Sequence, residues 1–381
     1  MSAYLDHNAT TPLRPGVAAA MAEVLGEVGN PSSVHRAGRL ARRRVEAARA
    51  RVAGLVGAEV EGVVFTSGGT EANALALRGC GRRRVLVSAV EHDSVLKAVA
   101  AVQVIPVDDD GRINGAALRD LLAADDMPAV VSVMLANNET GAIQPIREII
   151  DLARYSGALI HCDASQAVGK IAVSVSSLGV DMLTVSAHKL GGPMGVGALV
   201  VAGDCELVPF LHSSDSQSAG GQERGRRAGT ENVPGIVGFG LACELAGADL
   251  AGFDRLTAWR DEIERRCRAL VPGCRVFGAT AERLPNTLCL SLPGIGSEVQ
   301  VMALDLAGVA VSAGSACSSG KVRASHVLRA MGVPESEASC AIRVSLGWNS
   351  AADDLEDFLA AWGAWAARTA GERHGTAVPA A

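Results

Sequence analysis

Three observations predict an α/β fold with a mostly parallel sheet, followed by a smaller α+β unit. The chain has 381 residues, 49% of them hydrophobic, enough apolar material for a large core. Between residues 61 and 202, short β-branched or apolar runs alternate with helical stretches. After about residue 240 the texture changes to long amphipathic helices with isolated strands.

Residues 1–12 read as extended and turn-rich, and 16–28 and 36–57 as helices. The apolar runs are GVVFTS (62–67), RVLVSA (84–89), AVVSVMLA (129–136), GALIHCDA (157–164), DMLTVSA (181–187) and GALVVA (197–202). Helical patterns at 70–79 and 146–157 lie between them. Beyond the change in texture come a helix at 254–270, an apolar run at NTLCLSLPG and a helix near 297–307. A Gly/Ser-rich loop at 312–320, a helix at 324–331, the strand AIRVSLG (341–347) and a helix at 352–368 complete the pattern. The expected organisation is a large α/β domain over 13–250, a smaller α+β domain from 1–12 and 251–370, and a flexible tail at 371–381.

Composition narrows the function. A net charge of −6 offers no basic surface for a sequence-independent grip on nucleic acid. No apolar run approaches the ~18 residues of a membrane span. The start, MSAYLDHNATTP, lacks the basic and apolar regions of a secretory signal, so a cytoplasmic protein is expected. The nine cysteines form no CxxC pair, which argues against a disulfide framework or structural zinc. The only lysines are Lys97, Lys170, Lys189 and Lys321, so chemistry that needs an amine has few candidates.

Ligands in parallel sheets sit beyond the carboxyl ends of strands, and the polar residues there form a set. SGGTEAN (67–73) opens a helix with small residues and the Thr70 hydroxyl, which suits a phosphate as well as a plain helix cap. His92 follows the second run, and Asn138 follows the third. Asp163 ends the fourth, where a buried carboxylate calls for a cationic partner. A metal reading of His161, Cys162 and Asp163 is weak, because neighbouring strand residues point to opposite faces. Lys189 follows the fifth run in a Gly-rich turn beside Ser186 and His188, making it the best of the four lysines for a Schiff base. Phosphate cradle, acid, lysine and histidine together meet the needs of pyridoxal 5′-phosphate.

Three features lie outside that set. QERGRRAGTENVPG (222–235) reads by itself as a solvated loop, although Arg227 and Thr230 could reach a phosphate across a subunit boundary. Cys317 lies in a loop of Gly, Ser and Ala near Lys321 and Arg323, which fits a nucleophile better than a core filler. Arg343 stands in an otherwise apolar strand and requires a carboxylate, from the protein or from a substrate.

On SGGTEAN, EHD, NNETG, CDASQ…SAHK, ERGRRAGTENVPG and SAGSACSSG, the chain resembles the NifS/IscS-type cysteine desulfurases over nearly its whole length. These are fold-type I pyridoxal-phosphate enzymes of the class V aminotransferase family. The resemblance implies a seven-stranded, mostly parallel sheet. It assigns Lys189 as Schiff-base lysine, Asp163 as partner of the pyridine nitrogen, and His92 as the ring-stacking residue and proton shuttle. Gln166 resembles the donor to the phenolic oxygen; Gly69, Thr70, Ser186 and His188 resemble the phosphate ligands, with Thr230 contributed by the other subunit of a homodimer. Asn138 and Arg343 resemble the substrate-carboxylate ligands, and Cys317 the persulfide-forming nucleophile on a long 312–326 loop. The implied reaction converts L-cysteine to L-alanine and passes sulfur to an acceptor protein, an iron–sulfur scaffold or another sulfur carrier. No metal, membrane or nucleic acid is expected to take part. A selenocysteine lyase or another lyase or aminotransferase of the same fold is the alternative.

Overall fold

The computed structural model describes residues 3–203, 205–209, 221–314 and 324–375. Its strands are β1 (Ala3–Tyr4), β2 (Val63–Thr66), β3 (Arg84–Ser88), β4 (Gln103–Ile105), β5 (Ala129–Met134), β6 (Leu159–Asp163), β7 (Met182–Ser186), β8 (Gly197–Val201), β9 (Arg275–Val276), β10 (Thr287–Ser291), β11 (Val309–Ala310), β12 (Ser312–Ala313) and β13 (Ala341–Ser345). Its helices are α1 (Val17–Leu25), α2 (Arg36–Leu55), α3 (Gly69–Gly79), α4 (Asp93–Leu96), α5 (Gly115–Ala123), α6 (Ile146–Arg154), α7 (Val175–Leu178), α8 (Val233–Ala248), α9 (Asp254–Leu270), α10 (Ser297–Leu306), α11 (His326–Ala330), α12 (Glu335–Ala338) and α13 (Ala352–Gly375).

The large sheet has seven strands in the order β2-β8-β7-β6-β5-β3-β4. Its neighbours pair in parallel from β4 through β7, and β8 is antiparallel to both β7 and β2. Only β8 therefore runs against the rest, so β2, β3, β5, β6 and β7 all end on one edge. Every residue of β3, β5, β7 and β8 is buried, which is why these strands read as continuous apolar runs rather than alternating ones.

Helix α8 is missing from the sequence reading. Its segment, VPGIVGFGLACELAGA, is apolar but for Glu244 and rich in glycine, so no helical period stands out. It is buried against α2, where a Cβ on Gly240 would stand 2.6 Å from the Cα of Ala48. Glycine is what lets the two backbones come this close. The start was legible all the same: the Asn232 side chain accepts from the Gly235 amide, and Pro234 sits in the first turn.

The second sheet, β12-β13-β10-β9, packs on α9 and α13 around Trp362, Phe358, Leu256 and Ile263. Helix α13 runs past the expected 368 to Gly375. The N-terminal segment joins the two parts. β1 pairs with β11, Asp6 bridges to Ser345, and the Thr11 amide then donates to the carbonyl of His188 beyond β7. Among the described residues, no single helix is long and apolar enough to cross a membrane.

Candidate active site

The strand ends open into a cavity of about 460 Å³. Gly69, Thr70, His92, Asn138, Asp163, Gln166, Ser186, His188, Lys189 and Arg343 all line it. Thr230 does not. It is exposed and borders a separate cavity of about 80 Å³ beside Arg227. Cys317, Lys321 and Arg323 lie outside the described residues.

One wall of the cavity is the start of α3. Gly68, at φ 154°, turns the chain there, and no side chain caps the helix, so its first amide groups are left as donors. β8 presses against this turn: a Cβ on Gly197 would lie 2.7 Å from the carbonyl carbon of Gly68. Ser186, which ends β7, and His188 stand opposite. His188 Nδ1 is 3.2 Å from the Thr10 hydroxyl. Burial and the neighbouring Lys189 hold His188 down at about 4, so it enters the site as a neutral ring.

The protein partners of Asp163 are two neutral donors. Its Oδ2 accepts from Asn73 Nδ2 at 2.8 Å, and its Oδ1 from the Ser165 amide at 3.0 Å. No cation lies within ion-pair distance of it among the described residues. A carboxylate with two neutral donors keeps its charge available to a cation brought by a ligand. His161, named in the metal reading, is a satisfied core histidine between the hydroxyls of Ser132 (2.8 Å) and Thr184 (3.0 Å).

His92 caps α4. Its Nδ1 accepts from the Ser94 amide at 3.1 Å, which places the proton of the neutral ring on Nε2. Burial lowers its pKa, against the opposing pull of Asp163. Lys189 donates to the carbonyls of Asn8 and Ala9, the latter at 2.8 Å.

Arg343 has a protein carboxylate as partner, one of the two sources the sequence left open. Its Nη2 donates to Asp6 at 2.7 Å and its Nη1 to the Asn138 carbonyl at 3.0 Å. Its Nε is buried and has no hydrogen-bond partner among the described residues. The turn-capping asparagine of NNETG is Asn137, which accepts from the Glu139 and Thr140 amides, each at 2.9 Å. Asn138 is thereby left at the cavity.

Several lining residues carried no signal in the sequence: Asn8, Asn73, Glu139 and His326. Glu139 accepts from Ser325 Oγ at 2.5 Å. Burial raises its carboxyl to about 7, against the lowering effects of Ser325 and Arg343. A carboxyl whose folded pKa stands above the ordinary 4.5 adds stability below pH 4.5, and that stability is lost as pH rises through about 7. Glu139→Gln is therefore expected to gain on the wild type in melting temperature between pH 4.5 and 7.5. A melting difference that does not change with pH contradicts this assignment.

The 222–235 loop is not simply solvated. Glu223, in the left-handed region at φ 44°, forms a two-pronged pair with buried Arg49 at 2.7 and 2.9 Å and accepts from the Phe65 amide at 2.8 Å. Arg227 pairs with Glu71 at 2.9 Å. Two ion pairs hold the loop at the end of β2 and leave Thr230 facing outward.

The class-V aminotransferase family model matches residues 3–358. A protein named cysteine desulfurase from Cereibacter sphaeroides is 46% identical over 366 residues, covering 92% of each chain. The solved structure of a NifS-like protein from Rickettsia africae superposes with a TM-score of 0.87 at 33% identity, over 95% of this chain and 98% of that one. A structure described as SspA in complex with cysteine matches with a TM-score of 0.77 at 29% identity, over 92% and 100%. A lysine, an acid and an uncapped helix start at the carboxyl edge of one sheet thus occur in a chain that matches this family over nearly its full length: the protein belongs to the class-V aminotransferases, among relatives that are cysteine desulfurases.

Proposed function

We propose that the protein is a pyridoxal 5′-phosphate-dependent cysteine desulfurase that converts L-cysteine to L-alanine and delivers the sulfur, through a Cys317 persulfide, to an acceptor protein. The observation that carries this reading is the single cavity in which Lys189, Asp163, His92 and Arg343 meet an uncapped helix start. The cysteine named in the description of one related structure fits the same substrate.

The donor set fits the cofactor. The unsatisfied amides of α3, with Thr70, Ser186 and neutral His188, would hold its phosphate. Asp163 would meet its ring nitrogen, His92 its ring face, Gln166 its phenolic oxygen and Lys189 its aldehyde carbon. The cofactor would supply an electron sink for charge developing on the substrate. In a homodimer, Thr230 of the partner subunit would complete the phosphate site, in keeping with its exposure here.

The chain's own residues then have distinct tasks. Arg343 and Asn138, which both line the cavity, hold the substrate carboxylate. The Lys189 amine moves the proton at the substrate Cα. His92, protonated at Nε2, shuttles a proton at the cavity wall. The Cys317 thiolate attacks the substrate sulfur: an S–S bond forms, the Cβ–S bond breaks, and its electron pair stays on carbon. A proton then completes the alanine methyl group. Iron–sulfur cluster assembly in the cytoplasm is the setting that the resemblance implies.

The test is product analysis. With L-cysteine and a thiol reductant, the holoenzyme is expected to give alanine and sulfide in equal amounts. Turnover of L-selenocysteine with no alanine formed from L-cysteine would overturn the assignment.

A further inference from the structure

Among the described residues, the proposed reaction leaves one buried lysine without a task. Lys97 is exposed and paired with Asp93, and Lys189 is committed. Lys170, in the turn after β6, is 5% exposed. Its Nζ donates to Asn8 Oδ1 and to Gln166 Oε1, both at 2.8 Å.

These bonds settle the direction of two amides. The main-chain carbonyl of Asn8 can only accept, and Gln166 Nε2 donates to it at 2.9 Å. A flipped Gln166 would set oxygen against that carbonyl and nitrogen against the Lys170 amine. Lys170 therefore holds the Gln166 carboxamide with its oxygen turned to the lysine, and the remaining Nε2–H is left for an acceptor in the cavity that Gln166 lines. Asn8 is held in the same way. Its Oδ1 also accepts from Asn286 at 3.1 Å, its Nδ2 donates to Thr287 at 2.9 Å, and its main-chain carbonyl receives Lys189.

We propose that Lys170 is a positioning residue: it acts through Gln166, fixing the carboxamide so that an N–H is presented to the cofactor's phenolic oxygen. This rests on the proposed function, since it needs that oxygen in the cavity. The titratable groups facing Lys170 are His7 from the N-terminal segment, Lys189 after β7 and Arg343 on β13. Burial, with Lys189 and Arg343, pushes the Lys170 amine well below the ordinary lysine range. Charged or neutral, it has the two hydrogens that both bonds require.

The test is a double-mutant cycle in the holoenzyme, read by the pH at which the cofactor's ~420 nm band titrates. Lys170→Met is expected to raise that midpoint by about one pH unit, as loss of an ordered donor to a charged oxygen should. In a Gln166→Ala background the shift should vanish. No shift, or an equal shift in both backgrounds, overturns the proposal; the equal shift would make Lys170 a through-space charge instead. If the Met variant does not fold, Lys170→Gln carries the same cycle. A wild type with no such band would count against the proposed function alone. The four cofactor-free proteins then decide the clamp: the melting losses of the two single variants should exceed that of the double variant, and additive losses overturn it.

Discussion

Lys189→Ala is expected to lose the covalent link to the cofactor and at least about 10⁴-fold in turnover, because it removes both the attachment point and the base at the substrate Cα. The fold should survive. The carbonyls of Asn8 and Ala9 that receive Lys189 face a cavity into which water can enter, so their loss of a partner is cheap. Phosphate and ring contacts remain, and bound but non-covalent cofactor should be released by dialysis faster than from the wild type. The measurement is the absorption spectrum beside an alanine assay. Alanine production near the wild-type rate would remove Lys189 from its role.

Cys317→Ser is expected to fail at a different point. Cofactor binding uses the strand ends and the start of α3, all remote in sequence from residue 317, so the holoenzyme band should be unchanged. Sulfur transfer should fall by on the order of 10³-fold or more, since a hydroxyl at this position has no accessible thiolate equivalent. Trapping with a thiol-alkylating reagent and mass spectrometry should find a persulfide on Cys317 of the wild type and none on the variant. A persulfide on another cysteine would move the nucleophile. The chemistry of the described cysteines points the same way: burial raises Cys162, Cys243, Cys267 and Cys289 above the ordinary thiol range, leaving them poor nucleophiles.

The site was legible where one local pattern determines both position and chemistry. An apolar run that ends in a polar residue places that residue on the carboxyl edge of a parallel sheet, and Asp163, Ser186, Lys189 and His92 follow from this alone. Partnerships across long separations were not legible. Asp6 meets Arg343 across 337 positions, and Asn73 meets Asp163 across 90. Each is a polar residue in a segment whose own pattern assigns it to a turn or helix. Asn8 was hidden for the same reason, although it ties Lys189, Lys170 and Asn286 together. Asp163 was placed by its strand, but its two neutral protein donors, Asn73 and the Ser165 amide, were not legible, because burial cost alone does not name the partners.

Helix α8 was not legible, by the same logic. A helix that is apolar on nearly every side has no amphipathic period, and Gly240, needed for the close contact with α2, weakens a helical pattern further. By itself the 222–235 loop reads as solvated, because its arginines are visible and the partner of Glu223, Arg49, lies 174 positions away.

The account's central claim is that the strand-end cavity holds pyridoxal 5′-phosphate on Lys189. Borohydride reduction of the purified holoenzyme, followed by peptide mass mapping, tests it most directly. The account predicts one pyridoxyl adduct, on the peptide carrying Lys189. An adduct on Lys97, Lys170 or Lys321 instead, or no adduct on a protein fully loaded with the cofactor, would contradict it.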